Sequence, residues 1–145
     1  MVLFCTAFII AGYVNYQHTG VIFQPRYKAA IKKIGVDKFY KEAAVLIEER
    51  RAFDKAERAK GNDSPQKVWP KGSLEELPPN MASLPKLRGL HVTPHAVYLD
   101  VPAYEYGAIA IYAQDCQDLP TEEQTEISDV TKIAERIFLE YRWHI

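Results

Sequence analysis

LRGLHVTPHAVYLDV, residues 87–101, is where the chain changes from a helical to a two-residue period. The halves LRGLHV and AVYLDV flank Thr93, Pro94 and His95, which predicts two strands joined by a tight turn whose backbone Pro94 fixes. After Pro102, YGAIAIYAQ reads as a third strand. At the carboxyl end Ile137, Leu139, Tyr141, Trp143 and Ile145 alternate with Phe138, Glu140, Arg142 and His144, the cleanest strand pattern of the chain. Between these, Thr121 followed by Gln124 has the spacing of a capping box and predicts a short helix through about Ala134. The expected class is α+β, an antiparallel meander of about four strands covered on one face by helices.

Upstream, the helical period holds. Tyr27, Ala30, Ile31 and Ile34 share one face after Pro25, and Gly35 can end that helix. Asp37 is the expected cap of a second helix with Phe39, Tyr40, Ala43, Leu46 and Ile47 as its buried stripe. Past Glu48 the stretch EERRAFDKAERAKG is charged nearly all round, with Arg50 and Asp54 at i,i+4 spacing, and reads as a solvated extension. Residues 61–86 form a Pro-rich extended connection. Its apolar residues Val68, Trp69, Leu74, Leu77 and Met81 predict that it wraps the fold instead of hanging free.

VLFCTAFIIAGYV, residues 2–14, is the most apolar stretch, and no charge interrupts it before Arg26. As a helix it measures roughly 20 Å, short of a hydrocarbon core of about 30 Å, unless it extends to Phe23 with Tyr13 and Tyr16 at the interface. Residues 1–23 are therefore read as a membrane anchor or signal segment and 24–145 as one α+β domain; a buried core strand is the alternative for the opening segment. Lys28, Lys32 and Lys33, just past it, are placed to touch anionic headgroups.

The formal net charge of -1 gives no ground for a nucleic-acid partner. Locally the balance is uneven. Gln24 to Lys60 holds eleven Lys or Arg against six Asp or Glu, whereas Asp100 to Asp129 holds eight acidic residues and no basic one. Two cysteines, Cys5 and Cys116, make no disulfide framework. No nucleophile elbow, P-loop or dinucleotide fingerprint occurs, so neither catalytic residues, a cofactor nor a metal is assigned. His91 and His95 are four apart, but Pro94 denies them a common helix face, and the acidic run lacks the spacing of a calcium loop. What remains is aromatic: Tyr98, Tyr104, Tyr106 and Tyr112 cluster with Glu105 around the second and third strands, the composition of an interface.

The run LPPNMASLPKLRGLHVTPHAVYLDVPAYEYGAIAIY resembles a pattern in small uncharacterised bacterial proteins, in which L-P-P and a leucine-bearing turn precede two strands and a Y-G pair opens the next. The resemblance covers about a quarter of the chain and is carried by Leu77, Pro78, Pro79, Leu84, Val92, Val97, Leu99, Tyr106 and Gly107. Ala103 to Glu105 departs from it. It implies an anchored α+β domain and no activity.

Taken together, the expectation is a small membrane-anchored or exported domain that binds another protein as an accessory or inhibitory factor. The tyrosine-bearing edge and the acidic loop after Gln114 would form the contact. One alternative is a small metal-dependent or ligand-binding enzyme using His91, His95 and Glu105; another is a soluble, cytoplasmic immunity-type domain.

Overall fold

The computed structural model describes residues 24–103, 106–125 and 128–142. The expected opening anchor and the residues Tyr104, Glu105, Trp143 and Ile145 lie outside this description.

Gly35 divides the helical region. Its φ of 110° is a conformation that a side chain would strain, and it separates helix α1 (Gln24–Ile34) from α2 (Val36–Ala59). Asp37 does not cap α2; Gly35 holds the cap position and Asp37 lies in the first turn, where its charge favours the helix dipole. Tyr27 and Ile31 of α1, with Phe39, Ala43, Leu46 and Ile47 of α2, form the buried stripe.

The stretch after Glu48 is not uniformly solvated. Arg50 is only 4% exposed, because it reaches across to the sheet instead of out to water. Its Nε donates to Asp54 Oδ1 at 2.7 Å and its Nη1 to the Val92 carbonyl at 2.7 Å. The guanidinium lies 5.2 Å from the centre of the Trp69 ring, and Phe53 meets that ring edge-on at 5.1 Å. A residue from the helix, one from the connection and one from the first strand are thus held by one side chain.

Residues 61–86 follow the body of the fold through two short 3-10 turns and helix α3 (Pro79–Ala82). Met81 and Leu84 are buried, and Trp69 and Leu77 pack against the core, whereas Val68 and Leu74 are exposed and pin nothing. The strongest tie is polar. Glu42 accepts from the backbone N–H of Asn80 and Met81 and from Asn80 Nδ2, at 2.9, 3.0 and 2.6 Å, satisfying the free donors at the start of α3. Glu42→Ala is expected to cost about 1.5 kcal/mol, read as a lower urea midpoint, with Glu42→Gln recovering part of it.

The six strands among the described residues pair antiparallel in one sheet, in the order β1-β2-β3-β6-β5-β4. They are β1 (Gly89–Val92), β2 (Ala96–Asp100), β3 (Tyr106–Tyr112), β4 (Glu123–Gln124), β5 (Ser128–Ala134) and β6 (Ile137–Arg142). The first three form the meander read from the sequence. The helix expected from Thr121 to Ala134 is instead β4 and β5, and this accounts for the sheet being wider than about four strands. Val130, Thr131 and Ile133 are β-branched and lose rotamer freedom in a helix; as strand residues they give β6 a partner on its second edge. The acidic residues that imitated a helix start are spread over a loop and a two-residue edge strand.

Leu90, Val92, Val97, Leu99, Ile109, Ile111, Ile137, Leu139 and Tyr141 make the sheet's helix-covered face and form one core with the stripe of α1 and α2. Beneath that face Gly107 sits against the Tyr141 ring so closely that a Cβ would come within 2.9 Å of it and within 2.8 Å of Ala103 Cβ.

Candidate binding face

Among the described residues no helix covers the other face of the sheet, and period two decides what stands on it. Tyr106, Ala108, Ala110 and Tyr112 of β3 share that side. Register then sets their neighbours: Gly89, Asp100, Ala108 and Glu140 stand in one row across β1, β2, β3 and β6, and His91, Tyr98, Ala110 and Phe138 in the next. Ala108 and Ala110, in the central strand, are fully buried.

The aromatic rings form a connected series. Tyr98 meets Tyr112 at 6.2 Å and Tyr112 meets Phe138 at 5.8 Å, both edge-on, and His91 lies 6.1 Å from Tyr98. Beside them opens a recess of about 1100 Å³ lined by His91, Thr93, Tyr98, Asp100, Tyr106, Tyr112, Glu140 and Arg142. The structure therefore brings together three of the tyrosines expected at a contact, Tyr98, Tyr106 and Tyr112, while Tyr104 and Glu105 lie outside the described residues.

The acidic loop after Gln114 does not line this recess. Arg51, on the helical side, donates to Asp115 Oδ1 at 2.8 Å and to the Pro94 carbonyl at 2.8 Å, and Arg136 Nη1 donates to the carbonyls of Ala113 and Cys116. The Arg51 guanidinium holds the Asp115 carboxyl below its usual range. Part of the charge asymmetry in the sequence is thus used inside the fold.

The carboxylates at the recess are instead Asp100 and Glu140. Glu140 is 4% exposed although the alternation of β6 assigns it to solvent. Its Oε1 accepts from the Tyr112 hydroxyl at 2.9 Å; its Oε2 lies 4.0 Å from Arg142, beyond hydrogen-bond length. The Asp100 carboxylate leans over Gly89, where a Cβ would come within 2.5 Å of Oδ2. Glycine at 89 is what leaves room for it. The signal for Glu140 was Phe138 two residues earlier, an apolar residue on the face read as wet.

No protein-family model, curated protein or solved structure matches the chain. Chemistry must therefore be read from the recess itself.

His91 faces the recess, but His95 is in the β1–β2 turn, where its carbonyl accepts from Ala113, and it does not line the recess. Among the described residues no group of three or more His, Cys, Asp or Glu is placed to hold a metal ion. Tyr106 and Tyr112 are held neutral. Burial pushes the Tyr106 hydroxyl up to about 12, helped by the charge of Glu140. Burial raises Tyr112 as well, with hydrogen bonding to Tyr98 and the charge of Glu140 adding to it. Both shifts lead away from the neutral range in which a proton-transferring side chain works.

These shifts have a consequence for stability. The unfolded chain releases a tyrosine proton near pH 10, whereas the folded chain retains that of Tyr106 to about 12, so folding stability falls as pH rises through that window. Urea midpoints measured between pH 9 and 12 are expected to decline, and less steeply in Tyr106→Phe. An unchanged slope in that variant would contradict the assignment.

Proposed function

We propose that the protein is a non-enzymatic binding module whose second sheet face, covered by no helix among the described residues, takes a protein partner, as an accessory or inhibitory factor. The observation that carries this reading is the recess itself: three tyrosines from two strands line it together with the carboxylates of Asp100 and Glu140. Tyrosine supplies contact area and a hydrogen bond together at little entropic cost, which is why it dominates the energetic centres of interfaces. Other large apolar side chains exposed among the described residues, such as Val45, Val68 and Leu74, lie on other elements and form no comparable recess.

Membrane attachment or export is part of the same proposal. It is supported by the uncharged apolar run at residues 2–14 and by Lys28, Lys32 and Lys33, all exposed on α1 opposite the buried Tyr27 and Ile31. No helix among the described residues is long and apolar enough to cross a membrane.

A photo-crosslinking amino acid placed at Tyr106, in cells expressing the full chain, tests the binding reading. Val45, 59% exposed on α2, is the control position. A discrete protein adduct from position 106 and none from 45 is the expected result. Equal adducts from both positions, or none from 106, would overturn it.

A further inference from the structure

The recess contains acceptors that its own residues leave unmet. Glu140 Oε2 receives no hydrogen bond within normal length, and the Asp100 carboxylate accepts none from the described residues. The guanidinium beside Glu140 is that of Arg142, 4.0 Å away and 66% exposed, so it spends most of its charge on water. Glu140, by contrast, is almost wholly removed from solvent, and a buried carboxylate gains most from a donor that also carries positive charge. Around these acceptors stand tyrosine rings kept neutral, whose faces attract cations.

We infer that the recess between Asp100 and Glu140 is a subsite for a basic side chain, the ammonium of a lysine or the guanidinium of an arginine presented by the partner. The inference rests on the reading of this face as a protein-binding site and specifies what that site reads. The alkyl part of the side chain packs on Tyr98 and Tyr106; the charged end meets Glu140 Oε2, and the Asp100 carboxylate, across β3 from it, adds attraction at longer range. Tyr112 occupies the other oxygen of Glu140, so Oε2 is the one that a cation reaches. Gly89 belongs to the subsite indirectly, since a side chain there would push the Asp100 carboxylate from its place.

The test titrates the isotope-labelled full chain with Nα-acetyl-lysine amide, Nα-acetyl-arginine amide and the uncharged Nα-acetyl-norleucine amide, following the backbone signals of Gly89, Ala108 and Tyr106. Saturable shifts with a basic amide and none with norleucine amide are expected, weakened about tenfold in Glu140→Gln. That variant keeps an oxygen for the Tyr112 hydroxyl; Asp100→Asn, at a half-buried residue with no hydrogen bond to lose among the described residues, serves if Glu140→Gln does not fold, and a smaller loss in the same direction is expected. Equal shifts from norleucine amide, or basic-amide binding unchanged in the variants, overturn the inference. If no amide moves these signals while the adduct at position 106 forms, the cationic subsite is wrong and the binding face stands. If the adduct also fails, both are wrong.

Discussion

Arg50→Ala is expected to remove about 3 kcal/mol of folding stability, measured as a shift of the urea midpoint at constant slope. The size follows from what the substitution leaves behind. Arg50 is 4% exposed, and its loss strips the Asp54 carboxylate, itself 14% exposed, of its counter-charge and the Val92 carbonyl of a 2.7 Å donor. It also takes the cation from the Trp69 ring, loosening the connection after α2 from the helix and from β1. Arg50→Lys is expected to recover less than half, because one ammonium cannot reproduce the planar fork that reaches Asp54 and Val92 at once. A loss below about 1 kcal/mol would mean that Arg50 behaves as a surface ion pair.

Gly107→Ala is expected to cost about 2 kcal/mol, by overpacking instead of by loss of a contact. The added methyl meets the Tyr141 ring at 2.9 Å and Ala103 Cβ at 2.8 Å. Tyr141 is 1% exposed in the core, where close packing gives a ring little room to move. The diagnostic is coupling: in a Tyr141→Leu background the same glycine substitution is expected to cost much less. Equal cost in both backgrounds would place the strain in the strand and not against the ring.

The parts of the fold that sequence displayed were those with one wet and one dry side. Tyr27 and Ile31 in α1, Phe39, Ala43 and Ile47 in α2, and the alternation around Pro94 each announce a period because half of the element faces water. Two features hid themselves for physical reasons. Residues 121–134 carry helix-start residues next to β-branched ones, and the decision between them is made by β6, whose free edge only the tertiary fold reveals. Arg50 and Glu140 look like solvated charges in a polar pattern, and each is buried because a distant element supplies its partner: Val92 for the first, Tyr112 for the second. At the candidate site, Tyr98, Tyr106 and Tyr112 were legible as a cluster, since period two places the β3 pair on one face. That Asp100 and Glu140 join them, and the acidic loop does not, depends on register across β2, β3 and β6, which no local pattern encodes.

The central claim is that this sheet face carries the protein's binding energy. The most direct measurement is the affinity of the partner captured at position 106 for the full chain and for two variants, Tyr106→Ala on the face and Val45→Arg on exposed α2. A loss of at least about tenfold in Tyr106→Ala, with Val45→Arg unchanged, is the result expected of a tyrosine at an interface centre. Unchanged affinity in Tyr106→Ala, or a loss confined to Val45→Arg, would move the binding surface off the sheet and contradict the account.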